Sequence, residues 1–201
     1  MTDFKELIEL NKRKGESNLR FYAICLAVFL WLTAFIGANR YFFYYIEVDG
    51  PSMEDTLHTG DVLCVNKREK AGYGDVVIIE GEKSGGECLI KRVIATEGDT
   101  LVIEGGYVYR NGEKLKEDYV KEQGKTYVNS SPARWETTIP AGEVFYMGDN
   151  RAVSADSRSS FGTCKEEQIV GVVPRWAMSG AVKWFTGLRA DISAWIANLF
   201  R

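Results

Sequence analysis

Ser52 lies where a serine could act as a nucleophile. It follows the turn-forming pair Gly50-Pro51 and precedes Asp61–Val65, a run that is typical of a β-strand. A serine hydroxyl is a weak nucleophile at neutral pH, so this chemistry requires a base elsewhere in the chain that takes its proton. Turn formation is the alternative role of a Pro-Ser pair beside a strand. Whether Ser52 is catalytic therefore depends on a base at another position.

His58 is the only histidine in the sequence and lies six residues after Ser52. A Ser-His site would also need an orienting carboxylate and an exposed pocket, and the sequence around His58 indicates neither. Two other serine-hydrolase signatures are missing, because Glu54 replaces the last glycine of G-x-S-x-G around Ser52 and S-x-x-K does not occur. His58 is therefore a weak candidate for the base.

Lys91 is the better candidate. It lies in Cys88–Ala95, where strand alternation places it on one face with Leu89, Val93 and Ala95. Burial among aliphatic side chains disfavours the ammonium form and lowers the pKa of a lysine, which makes neutral amine available as a general base. The alternative role of Lys91 is that of an edge-strand lysine, which protects a sheet from aggregation.

A third segment, Ile139–Gly162, carries polar residues directly after a hydrophobic strand. The strand leads into Gly148–Arg151 and then into Ser154–Arg158. Four charged side chains in this segment could form charge-assisted hydrogen bonds that fix the loop: Asp149, Arg151, Asp156 and Arg158. Ser154 could then hold Lys91 in place.

The composition narrows the classes of function. The net charge of -3 and the pI near 5.4 argue against nucleic acid as a main partner, because phosphate binding needs a basic face. The four cysteines show no C-x-x-C spacing, and a single histidine leaves no credible zinc site. We therefore expect no metal and no other cofactor, and at most one disulfide among Cys64, Cys88 and Cys164.

An apolar segment near the N-terminus predicts a membrane anchor. Phe21–Ala38 contains no charged residue and would reach about 27 Å as a helix, enough to cross a bilayer. Tyr41–Tyr45 is an aromatic run of the type found at a membrane boundary. Basic residues are concentrated before the apolar segment, so the positive-inside rule predicts a cytoplasmic N-terminus and export of everything after about residue 40.

Two alternatives compete with the anchor. A buried core helix could have this length, although such helices are rarely apolar on every side. A cleavable signal peptide is also consistent with the small residues in Ile36-Gly37-Ala38. The anchor and the signal peptide both predict that the remainder is exported.

The remainder predicts a sheet domain and a helical tail. Short β-rich runs separated by turn signals indicate antiparallel strands; these runs are Val62–Val65, Val76–Ile79, Leu89–Ile94, Thr100–Ile103, Val108–Arg110, Val144–Met147 and Ile169–Val173. Asn111-Gly112 predicts a hairpin turn, and Lys116–Trp135 predicts a long polar excursion. The tail, 175–201, has the pattern of an amphipathic helix, which would pack either on the sheet domain or in a membrane interface.

The predicted fold is mainly β, an antiparallel-sheet catalytic domain with one N-terminal transmembrane helix and a C-terminal amphipathic helix. The expected divisions are a cytoplasmic segment 1–20, a transmembrane helix 21–40, an extracytoplasmic β-rich domain 41–174 and the helical tail 175–201.

In this order, and behind an apolar N-terminal segment, these motifs resemble the bacterial type I signal peptidase family, which uses a Ser-Lys dyad. The match covers Val48 to about Pro174 and includes five short motifs: Gly50–Leu57 with Gly60-Asp61, Gly74–Val77, Lys91–Ile94 with Gly98-Asp99, Gly148–Arg151, and Ser154–Arg158. Each motif alone is weak, but together and in register they are specific.

The resemblance implies roles for individual residues. Ser52 corresponds to the nucleophile, Lys91 to the base and Ser154 to the hydroxyl that orients the lysine. Met53 corresponds to a residue that lines the pocket before the cleaved bond. Structural support of the site is implied for Arg92, Asp149, Asp156 and Arg158. Gly50 stands where some members have a serine that helps to bind the oxyanion, so here the second donor would be a backbone group or water.

The chain departs from the family pattern at three places. Asp55 replaces a proline, and an inward-pointing carboxylate there would stabilise the protonated form of Lys91 and weaken the base. Ala152-Val153 replaces a polar pair, and Thr96-Glu97 replaces a stretch that commonly contains proline.

The resemblance implies a membrane-bound serine endopeptidase that removes signal peptides from exported pre-proteins, with small side chains preferred at the first and third positions before the cut. We expect pre-proteins and membrane lipid as partners, no nucleic acid, and a monomer. One alternative is a catalytically silent, membrane-anchored domain that binds exported peptides, which an inward-pointing Asp55 would favour. A self-cleaving Ser-Lys repressor would instead need an N-terminal DNA-binding motif, and an apolar run stands there.

Overall fold

A computed structural model describes residues 4–81 and 86–178 of the chain, and divides it into an N-terminal unit, 1–42, and a second unit, 43–201. The first unit is a single helix, α1, Phe4–Phe42. It therefore includes most of the polar segment 1–20 as well as the apolar segment. The stretch Asn18–Phe42 is long and apolar enough to cross a membrane, and none of its apolar window is buried, which does not fit the alternative of a buried core helix.

The second unit is built from antiparallel strands, as predicted. Within the described residues the strands are β1 Phe43–Glu47, β2 Val62–Asn66, β3 Val76–Glu80, β4 Cys88–Thr96, β5 Thr100–Glu104, β6 Tyr107–Arg110, β7 Glu113–Lys114, β8 Trp135–Thr138, β9 Glu143–Met147, β10 Cys164–Lys165 and β11 Ile169–Val173. They form a larger sheet in the order β1-β2-β11-β3-β4-β9-β10 and a smaller sheet in the order β7-β6-β5-β8. All seven predicted β-rich runs lie in strands.

β1 was not among the predicted strands. The sequence predicts a membrane-boundary collar from its aromatic residues, but Phe43–Glu47 pairs along its whole length with β2. Aromatic residues suit a half-buried strand as well as an interface, so composition alone does not separate the two.

A β-bulge changes the alternation along β4. The pairing of β4 with β9 shifts between Val93 and Ala95, so that Ile94 and Ala95 both contribute to the core that contains the smaller sheet. Leu89 and Val93 instead share a cluster on the larger sheet. Leu89 and Val93 therefore lie on one face, as predicted, whereas the extension of that face to Ala95 is wrong because a bulge inserts one extra residue into the strand.

The polar excursion 116–135 folds back on the smaller sheet. Gly106 and Gly124 approach so closely that a Cβ on Gly106 would overlap the backbone of Gly124, and the Thr126 amide donates to the Gly106 carbonyl at 3.0 Å. The hairpin at Asn111-Gly112 forms as predicted, with positive φ at both residues.

The predicted tail helix falls mostly outside the described residues. Of the segment 175–201, the structure describes a 3-10 turn, Arg175–Met178, and the residues beyond 178 lie outside the described part.

Candidate active site

Ser52 lies in the turn that leads from β1 toward β2, on the larger sheet. The loop after β9 holds this turn in place, because Asn150 donates from its backbone amide to the Ser52 carbonyl at 3.0 Å and from its side chain to the Pro51 carbonyl at 3.1 Å. Asn150 is buried. The main chain of the candidate nucleophile is therefore tied to a loop that is far away in sequence.

Lys91 projects from β4 to the Ser52 side chain. Its Nζ lies 2.9 Å from Ser52 Oγ and 2.9 Å from the Ile90 carbonyl oxygen, and the residue is only 4 % exposed. Burial lowers the pKa of Lys91 to about 8, although the negative charges of Asp156 and Asp149 oppose this effect. A substantial fraction of the amine is therefore neutral near pH 8.

Each of those two carboxylates is bound by an arginine. Arg92 donates from Nε and one terminal nitrogen to Asp149, at 2.9 and 2.6 Å. Arg158 donates in the same way to Asp156, at 2.9 and 2.8 Å. All four side chains are buried. Bidentate pairs of this kind fix orientation and offset much of the carboxylate charge.

The same carboxylates tie the loop to the nucleophile turn and to itself. Asp149 accepts a 2.5 Å hydrogen bond from the Thr56 hydroxyl, four residues after Ser52. Asp156 accepts the Gly148 amide at 3.1 Å, which closes the loop that carries Ser154. Asp149 and Asp156 therefore hold the backbone around Ser52 and Ser154 as well as pairing with arginines.

Ser154 lies next to this arrangement, and its backbone amide donates to the Asn150 carbonyl at 3.1 Å. Its Oγ is buried, and among the described residues it has no hydrogen-bond partner. A Cβ on Gly148 would overlap both the Ser154 side chain and the Ser52 carbonyl oxygen, so both serines pack against the same side of Gly148. The structure therefore places Ser154 close to Ser52 but shows no bond from its hydroxyl to Lys91.

Met53 and Gly50 flank Ser52. Met53 is 1 % exposed and belongs to the apolar cluster that also contains Leu57 and Ile90. Gly50 has φ of 90°, a conformation that favours glycine, and its amide donates to Thr59 Oγ1 at 3.1 Å. Because that N–H is already engaged, it does not point to an oxyanion.

Asp55 and His58 face away from Lys91. The Asp55 side chain is 71 % exposed, and its carboxylate is 3.7 Å from Lys121 Nζ. His58 is 58 % exposed and lies beside Asp61. An inward-pointing Asp55 is therefore not seen, and His58 is not in a position to serve Ser52.

Sequence reasoning missed Glu117, Tyr119 and Thr126 of the excursion. Glu117 and Thr126 are buried against Arg151, and the Tyr119 ring lies 4.1 Å from the Arg92 guanidinium. No local signal distinguishes these residues from the solvated polar residues around them. Among the described residues, no group of three or more His, Cys, Asp or Glu side chains is arranged to hold a metal ion.

Known proteins with similar sequences identify the family of this chain. The model of the family described as signal peptidase, peptidase S26, matches residues 20–177. This chain belongs to that family. It is 38 % identical over 169 residues to signal peptidase I of Bacillus amyloliquefaciens and to signal peptidase I T of Bacillus subtilis strain 168, covering 80 % of this chain and 85 % of each relative.

A crystal structure of a signal peptidase I from Enterococcus faecalis V583 aligns with 53 % of this chain and 98 % of that chain, at 28 % identity and a TM-score of 0.44. Membership of the family makes this chain a serine endopeptidase of the S26 class.

Proposed function

We propose that this protein is a membrane-anchored endopeptidase that removes N-terminal signal peptides from exported pre-proteins, with Ser52 as nucleophile and Lys91 as general base. The observation that carries the proposal is the 2.9 Å separation of Lys91 Nζ and Ser52 Oγ inside a site that lowers the lysine pKa to about 8. Hydrogen-bond distance and a pKa near the working pH are the two requirements for a general base.

Acylation begins when the neutral Lys91 amine takes the Ser52 proton as Ser52 Oγ attacks the carbonyl carbon of the scissile bond. The Ser52 backbone N–H would donate to the oxyanion, and one such donor stabilises the transition state by about 3 kcal/mol. The Lys91 ammonium then gives its proton to the leaving amine, which is the new N-terminus of the mature protein.

Deacylation repeats the proton transfer with water. The neutral Lys91 takes a proton from the attacking water and returns it to Ser52 Oγ as the tetrahedral intermediate collapses. This regenerates the Ser52 hydroxyl and frees the signal peptide as its carboxylic acid, which ionises in water. The buried amine serves both steps because the Arg92–Asp149 and Arg158–Asp156 pairs keep neighbouring charge in fixed places.

Ser154 is proposed to orient the Lys91 amine during these steps. Its buried hydroxyl beside Gly148, which has no hydrogen-bond partner in the described part of the chain, supports this role. Met53 is proposed to form the floor of the pocket for the residue before the cut, supported by its burial with Leu57 and Ile90. A floor of large apolar side chains fits the expected preference for small residues at the first and third positions before the cut.

The membrane arrangement is part of the proposal. The helix 21–40 would anchor the chain with segment 1–20 in the cytoplasm and the β-rich domain 41–174 on the outer side. Confinement of enzyme and pre-protein to one surface raises their effective concentration, because the cleavage site emerges close to the membrane. Lipid and pre-protein are then the partners of a monomeric enzyme.

The test is cleavage of a pre-protein with alanine at the first and third positions before the cut, by the full chain in detergent or lipid. We expect wild-type turnover, and loss of at least about a thousandfold in Ser52→Ala and Lys91→Met. Activity retained by either variant would reject the dyad. The silent peptide-binding alternative predicts no turnover by the wild type, and the outward-facing Asp55 removes the observation that would have favoured it.

A further inference from the structure

A buried ion pair joins the excursion to the loop that carries Ser154. Arg151 donates to both carboxylate oxygens of Glu117, at 2.5 and 3.3 Å, and to Thr126 Oγ1 at 2.8 Å. The Arg151 and Glu117 side chains are 1 % and 6 % exposed. Glu117 is therefore a buried carboxylate that the dyad chemistry does not use.

Arg151 transmits this contact toward the nucleophile. Its Nε donates to the Gly148 carbonyl at 3.1 Å, and its own carbonyl accepts from Arg158 at 2.8 Å. Gly148 has no room on the side of Ser52 and Ser154. A displacement of Arg151 would therefore move Gly148 against both serines.

A second contact runs from Glu117 to the arginine beside the base. The Tyr119 hydroxyl donates to Glu117 at 3.1 Å, and the Tyr119 ring covers the Arg92 guanidinium. Arg92 follows Lys91 directly and holds Asp149. Glu117 thus bonds directly to Arg151 in the loop after β9 and reaches Arg92 on strand β4 through Tyr119.

A buried ion pair such as Arg151–Glu117 contributes more to the orientation of its side chains than to the stability of the fold. A buried salt bridge is often no more stabilising than well-packed apolar side chains of the same volume. Its bidentate geometry, however, allows one orientation of Arg151, which apolar side chains would not impose.

We propose that Glu117 is a positioning residue for the reaction, holding through Arg151 the Gly148 backbone against which Ser52 and Ser154 both pack. The inference rests on the proposed function, because it assigns a role in the same site. The excursion 116–135 would then fix the position of the loop after β9 relative to the turn that carries Ser52.

The test compares Glu117→Gln with Glu122→Gln in the full chain, using the same alanine-containing pre-protein. Glu122 is in the same excursion, exposed and 2.7 Å from Lys125, so it is a matched control. We expect kcat of Glu117→Gln to fall about 10- to 100-fold with KM nearly unchanged, because small misplacements of reacting groups cost this much. Glu122→Gln should match the wild type.

A second readout is the pH profile. Lys91 faces Asp149 and Asp156, while Glu117 faces Arg151, Arg92 and Tyr119. Loss of the Glu117 negative charge leaves the positive charges of Arg151 and Arg92 less compensated. The added positive potential disfavours the Lys91 ammonium and lowers its pKa. The acid limb of kcat should therefore move to lower pH in Glu117→Gln and stay in place in Glu122→Gln.

The apolar double variant Glu117→Leu/Arg151→Leu separates positioning from stability. We expect it to unfold near the wild-type temperature and still show reduced kcat. Restored kcat in a folded double variant, or a wild-type kcat and pH limb in Glu117→Gln, would overturn the inference. Ser52→Ala is assayed in parallel so that failure of the dyad can be distinguished from failure of the Glu117 proposal. Activity in Ser52→Ala would reject the dyad, whatever the result for Glu117→Gln.

Discussion

At the scale of the residue, Lys91 is under two opposing influences. Burial disfavours its charged form, whereas Asp149 and Asp156 favour it. Arg92 and Arg158 bind those carboxylates through two hydrogen bonds each. The arginines thus offset negative charge that would otherwise keep the amine protonated, and burial is left as the dominant effect.

The pH dependence of cleavage follows from this balance. Below the pKa of about 8 the ammonium predominates and cannot accept the Ser52 proton, so activity falls by about tenfold per pH unit. We expect kcat to rise through an inflection near pH 8 and then reach a plateau, measured with the purified chain in detergent. Lys91→Arg should be inactive at every pH because a guanidinium stays protonated. An inflection near the ordinary lysine value of about 10.4 would contradict the role of burial.

At the scale of the element, the loop between β9 and β10 connects the turn that carries Ser52 with the segment that carries Ser154. Its first residues bond to the main chain of the Ser52 turn, and its later residues hold Asp156 against Gly148. The loop therefore fixes Ser154 relative to the nucleophile. Gly148 is the residue of the loop that packs tightly against both serines.

A methyl group at Gly148 tests this connection. Gly148→Ala places a Cβ against the Ser52 carbonyl and the Ser154 side chain, and overpacking of this kind costs about 1 to 3 kcal/mol. We expect a lower unfolding temperature and a loss of cleavage of about a hundredfold at temperatures where the variant is folded. Gly72→Ala is the control, since its Cβ would meet only Asp75 Oδ2, at an ordinary 3.5 Å. Equal behaviour of the two variants would show that the contact is unimportant.

At the scale of the whole molecule, the proposed topology separates the cysteines by environment. Cys88 is exposed on the β-rich unit, Cys64 and Cys164 are buried, and Cys25 lies in the apolar part of α1. Cys88 is therefore a native reporter of which side of the membrane the catalytic unit occupies.

Labelling with a membrane-impermeant maleimide checks the orientation. We expect Cys88 to react in intact cells stripped of their wall, because the proposed topology exposes it on the outer side. Cys88→Ser should lose the label, and lysis should add little to it. Labelling of Cys88 only after lysis would place the catalytic unit in the cytoplasm and reject the topology.

The sequence alone was sufficient for seven of the eleven strands among the described residues, for the family and for the two residues proposed as the dyad. Val76–Ile79 and Ile169–Val173 lie in strands because β-branched side chains pack well on the pleated surface of a sheet. Ser52 and Lys91 were singled out by their neighbours, which are local properties of the chain.

Tertiary structure decided what depends on contacts between distant segments. Glu117 looks solvated in the sequence and is buried against Arg151, 34 residues away, because only the folded excursion brings them together. Asp55 turns outward to Lys121, and the bulge in β4 redirects Ala95 to the other core. The burial of a side chain, the direction in which it points and the register of a strand depend on packing between elements. The pattern of residues along the sequence does not contain this information.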